Sequence, residues 1–161
     1  MSNKIIFLQG HDVFSKAKKT KFFGNTLEIE NGKYIFVLIV AKEISNEDLT
    51  KLKSLLGAIE MDFSPNLVIT PRIGTQSSWS SKAQDIFTNI GIDSVSRIER
   101  LKAFKTESSE KIIAKIFDKM TESHFLKLPT QEELFFNLER KKSKSYDIHK
   151  DQDLILSLIH I

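Results

Sequence analysis

The run YIFVLIVA, Tyr34 to Ala41, is eight apolar residues without a break, and it constrains the fold more than any other stretch. It falls far short of the roughly 18 residues a membrane-spanning helix requires, so it reads as a buried strand. Leu27 to Ile29, followed by Asn31-Gly32, leads into it as a hairpin, because Asn-Gly supplies the positive φ angles of a tight turn. Lys4 to Leu8, Asn66 to Thr70 and a segment near Val95 to Phe104 read as further strands.

Between these strands the apolar period changes. Leu49, Leu52, Leu55 and Leu56 mark one face of a helix that Ser45 or Asn46 caps and Gly57 ends. Ala83, Ile86, Phe87 and Ile90 mark a second helix, with Ser81 and Gln84 spaced as a capping box and Gly91 at its C-terminal end. A third begins near Glu110 and turns Ile112, Ile113, Ile116, Phe117 and Met120 inward. Thr130 and Glu133 form another capping box ahead of Leu134, Phe135, Phe136 and Leu138. Helices thus alternate with strands, which predicts an α+β fold: a mixed or antiparallel sheet with helices packed on one face. Residues 1–139 read as one domain. Residues 140–161 read as a linker ending in the apolar LILSLIHI.

Composition narrows the function classes. The 161 residues are one domain's worth, 40% hydrophobic and without cysteine, which removes disulfides, thiolate metal sites and cysteine nucleophiles. A cytoplasmic location is the default, since the N-terminus lacks the apolar core of a signal peptide. Lysines gather at Lys16, Lys18, Lys19 and Lys21 and again from Arg140 to Lys144, in a chain of net charge +3. Neither cluster interleaves aromatics for base stacking, so they read as solvated faces and neither nucleic acid nor membrane is an expected partner.

The most unusual stretch is VITPRIGTQSSWSSK, Val68 to Lys82, where a strand hands over to a helix around the only tryptophan. A Gly/Ser-rich turn entering a helix N-terminus has the general form of an anion site, to which Arg72 and Lys82 add charge. A phosphate-binding P-loop does not fit, because no second glycine precedes Lys82 and Ala83 stands where the magnesium-binding hydroxyl belongs. The plainer reading stands beside it: Ser81 caps, Gly74 turns the chain and Trp79 fills a gap. Elsewhere, His11, His124, His149 and His160 are scattered and show no metal-ligand spacing, and no GxSxG supplies a serine nucleophile. Arg97 and Glu99 share a strand face, as an acid or base beside a cation or as a surface ion pair.

Thr70 to Ile92, TPRIGTQSSWSSKAQDIFTNIGI, followed by VSRIER from Val95 to Arg100, resembles the N-terminal domain of phosphoribosylformylglycinamidine synthase, the formylglycinamide ribonucleotide (FGAR) amidotransferase. The family pattern is similar to TPRPGT, then SPWSSKATDIA, a short helix ending in glycine, and RLERG. Ile73 and Ser78 stand where the family has proline, and Leu101 where it has glycine. A weaker resemblance runs from the first strand to about Leu138.

The resemblance implies a scaffold domain similar to a fused dimer of the small subunit found in multi-subunit forms of the enzyme. In the parent enzyme, FGAR, glutamine, ATP and water give formylglycinamidine ribonucleotide (FGAM), glutamate, ADP and phosphate. The ATP, magnesium and glutaminase sites lie in other domains, so the implied partners are those synthetase and glutaminase domains. No cofactor and no catalytic residue are expected in this segment. The implied interdomain or substrate-facing residues are Arg72, Gly74, Thr75, Trp79, Ser80, Ser81 and Lys82, with Arg97 and Arg100 as partners for a phosphate or for carboxylates. A free-standing accessory subunit and a nonfunctional remnant are the alternatives.

Overall fold

The computed structural model describes residues 3–15, 18, 32–62, 64–107 and 109–135. Six strands make one sheet: β1 (Lys4–Asp12), β2 (Lys33–Val40), β3 (Ile59–Glu60), β4 (Leu67–Pro71), β5 (Val95–Phe104) and β6 (Glu122–Phe125). Their order across the sheet is β3-β1-β2-β5-β4-β6, and every pairing is antiparallel. Among the described residues the helices α1 (Asn46–Leu56), α2 (Ser78–Asn89), α3 (Ser109–Ile116) and the single turn α4 (Gln131–Leu134) accompany them. The α+β architecture is the one the alternating periods predict.

Burial explains the apolar run. β2 lies between β1 and β5, so both of its edges are paired, and side chains pack against both of its faces. On one face Phe36 and Leu38, with Ile98 of β5, meet Leu52 of α1 and Ala83 and Phe87 of α2. The same face continues through Leu67, Ile69 and Phe104 to Ile113 and Ile116 of α3. On the reverse face Ile35, Val37, Val68, Leu101 and Ala103 pack against Leu128, Leu134 and Phe135. The three longer helices therefore share one face, and the short α4 covers part of the other.

Local chemistry sets the helix ends. Ser45 caps α1 by accepting from the Asp48 N–H, and Gly57 ends it at φ 59°, a left-handed conformation that costs glycine nothing. The Thr130–Glu133 capping box is present. The expected Ser81–Gln84 box is not: α2 starts three residues earlier, capped by Ser77. Four apolar residues expected inside are exposed, namely Leu55, Ile86, Ile90 and Met120. The sheet takes only a narrow stripe of each helix, Leu52 on α1 and Ala83 with Phe87 on α2, so residues flanking the stripe face outward. Met120 lies beyond the end of α3, in the turn before β6, and is 76% exposed.

Strands β3 and β6 were not legible, because one has two residues and the other, ESHF, lacks apolar alternation. The 27–31 arm of the expected hairpin, the side chain of Ile112, residues Phe136 and Leu138, both lysine clusters except Lys18, and the boundary near residue 139 lie outside the described residues.

Candidate functional site

Two neighbouring strands diverge at Thr70. β4 pairs with β5 only from Leu67↔Phe104 to Ile69↔Lys102, then continues along β6 as far as Pro71↔Glu122. Residues 96–99 of β5 are left without a strand on that side. A bare strand edge needs its polar groups satisfied, because an unpaired buried carbonyl costs about 1–3 kcal/mol.

The loop 72–77 and the first turns of α2 supply those partners. Gln84 donates to the Ser96 carbonyl, and the fully buried Ser80 hydroxyl donates to the Ile98 carbonyl. The Arg97 guanidinium donates through Nη2 to the Thr75 carbonyl at 2.9 Å. Ser77 donates through both its hydroxyl and its N–H to the Glu99 carboxylate. Four consecutive strand residues are thus each held by this segment, Glu99 by two hydrogen bonds.

The loop is shaped for the task. The Thr75 N–H and hydroxyl both donate to the Arg72 carbonyl, at 3.1 and 2.6 Å, closing a turn. Gly74 sits in it at φ 80°, which strains any residue with a Cβ. Ser77 then caps α2 by accepting from the Ser80 N–H at 3.1 Å.

Where β4 and β5 part, a cavity of about 300 Å³ opens, walled by Tyr34, Trp79, Ser78, Arg100, Lys102 and Glu122 among others. Trp79 stacks on Phe36 with ring centroids 5.6 Å apart and packs against the helix-side core. The Arg100 guanidinium lies 4.6 Å from the Tyr34 ring and 5.1 Å from the Trp79 ring, well placed for cation–π attraction to both. Lys102 is paired with Glu122 at 2.7 Å.

Arg97 and Glu99 do not form the surface ion pair that their shared strand face suggests. Glu99 is only 3% exposed and its carboxylate is committed to Ser77. Arg97 lies 4.4 Å from the Phe135 ring on the reverse face of the sheet. Burial pulls its guanidinium below the ordinary arginine value, while the nearby Glu99 charge acts in the opposite direction.

Of the residues singled out in the sequence, Trp79 and Arg100 meet at the cavity. Arg72, Gly74, Thr75, Ser81 and Lys82 are exposed around the loop and on α2. Ser80 is interior, and Arg97 faces away from Arg100. Sequence reasoning missed Tyr34, Gln84, Lys102 and Glu122, which come from four separate elements and carry no local signal. Among the described residues no His, Asp and Glu side chains gather in a group that could hold a metal ion, and no helix is long and apolar enough to cross a membrane.

A family model described as formylglycinamide ribonucleotide amidotransferase N-terminal matches residues 33–135, well over half of the chain. The chain belongs to this family. The matched span begins at β2, ends one residue beyond α4 and contains the whole β4–β5 cleft; β1 lies outside it. The two positions where the resemblance leads one to expect proline now have a physical reading. Ile73 is the second residue of the turn closed by Thr75, and Ser78 is the first residue of α2, both places where proline fits the backbone. Leu101, in the place of a glycine, is fully buried on the reverse face.

Proposed function

We propose that the chain is the N-terminal scaffold of phosphoribosylformylglycinamidine synthase, acting in purine biosynthesis by docking onto the synthetase and glutaminase domains. Those domains carry out the ATP- and glutamine-dependent conversion of FGAR to FGAM, with magnesium bound outside this segment, in the cytoplasm. The observation that carries this reading is the family match across residues 33–135. Its mechanism here is presentation. The loop 72–77 and the start of α2 are tied to β5 at four successive residues, so Arg72, Ser81 and Lys82 project from a fixed frame. Side chains offered from a rigid frame lose less conformational entropy on docking.

Charge reversal tests this without disturbing the core, because Arg72 and Lys82 are exposed and neither forms an ion pair with a described residue. The chain should bind the synthetase–glutaminase portion in sedimentation velocity experiments. Arg72→Glu and Lys82→Glu should each weaken that complex by about tenfold or more, with the circular dichroism spectrum unchanged. Absence of binding by the unsubstituted chain overturns the reading.

A further inference from the structure

The guanidinium of Arg100 is gripped by two aromatic faces, yet its N–H donors meet no acceptor among the described residues. We propose that the β4–β5 cavity is a carboxylate-binding site in which Arg100 takes both oxygens of the ligand. The inference deepens the docking reading, since the cavity lies beside the loop proposed to face the rest of the enzyme.

Three observations select this ligand chemistry. The other charged groups of the cavity are already engaged: Lys102 with Glu122, Glu122 also with the Asp118 N–H, and Glu99 with Ser77. Arg100 is therefore the one cation of the lining without a carboxylate partner among the described residues. A planar guanidinium fixed in orientation matches the two oxygens of a carboxylate, and the charge-assisted pair is stronger than a neutral hydrogen bond. A single free cation also balances a monoanion. A phosphate dianion would face one free cation with the carboxylates of Glu99 and Glu122 in the same lining.

The setting fits a small ligand group. The cavity of about 300 Å³ stands at the lower end of ligand-site volumes, with Ile69, Pro71 and the rings of Tyr34 and Trp79 as apolar wall. Next to Arg100, the N–H groups of Ser78 and Trp79 at the start of α2 are without acceptors among the described residues, whereas the Ser80 N–H is taken by Ser77. They add donors to a site that Arg100 defines.

The test is an NMR titration of the 161-residue chain with sodium acetate against sodium chloride at equal ionic strength, following the Arg100 Nε–H and the Trp79 indole N–H. Acetate should shift both resonances saturably, chloride should not, and inorganic phosphate should bind more weakly than acetate. Arg100→Gln should abolish the response. Arg100→Lys, which keeps the charge but loses the planar fork, should weaken it by roughly tenfold or more while the remaining spectrum stays dispersed. No saturable response to acetate, a response that survives in Arg100→Gln, or phosphate binding more tightly than acetate each overturns the proposal.

Repeating the titration on the assembled enzyme separates two sources of the carboxylate. Loss of the acetate response on assembly marks an Asp or Glu side chain of the docked domain as the natural occupant. A retained response marks a free small carboxylate. The titration reads the cavity and the sedimentation experiment reads docking, so either idea can fail alone.

Discussion

Ser77 caps α2 by accepting from the Ser80 N–H and at the same time holds Glu99 through its own hydroxyl and N–H. Local spacing pointed to Ser81 because Ser81 and Gln84 have the form of a capping box; the choice among neighbouring serines is made by a carboxylate 22 residues away in sequence. Gly74 was legible as a turn residue for the opposite reason, since its requirement is local backbone geometry. The same local logic bears on Ile73 and Ser78. Ile73 is followed by the left-handed Gly74, as at the second position of a type II turn, and Ser78 opens a helix. Neither N–H donates a hydrogen bond among the described residues. Ile73→Pro and Ser78→Pro should each raise stability by about 0.4–1 kcal/mol, by narrowing the unfolded ensemble. A higher urea midpoint with unchanged slope is the expected readout, and a lower midpoint would mean that the backbone at that residue does not suit proline.

At the scale of elements, the long periodic segments were legible and the short ones were not. α1, α2 and β5 announce themselves by period, whereas β6 pairs with the edge of β4 opposite β5 and carries no apolar alternation of its own. The approach to β6 and the start of α4 are each organised by an exposed carboxylate. The Asp118 carboxyl is held below its ordinary value of 3.8 first by the Met120 N–H and next by the Thr121 hydroxyl. The Glu133 carboxyl is held below 4.5 chiefly by the Thr130 N–H. For a lowered acid the folded state favours the ionised form. The contribution is therefore complete above the ordinary value and fades as pH falls through the lower folded value. Carboxyl-carbon NMR titration should place both groups below their ordinary values, and Thr130→Ala should move Glu133 back toward 4.5 by removing the hydroxyl half of the box. Ordinary titration of both groups in the unsubstituted chain would show that these caps do not form in solution.

At the scale of the whole molecule, the fold class followed from alternating periods, but the cleft did not. It arises where two antiparallel strands part after three pairs and a helix start fills the gap, an event involving β2, β4, β5, β6 and α2 together. What was legible was the abnormal density of Gly, Ser, Arg and Trp on the one segment that bridges the gap. The direct test of the scaffold role is the rate of FGAM formation by the synthetase–glutaminase portion, measured with and without this chain. The expected result is no turnover by the chain alone and a rate for the remaining portion that rises saturably as the chain is added. Equal rates with and without the chain, or turnover by the chain alone, would contradict that role.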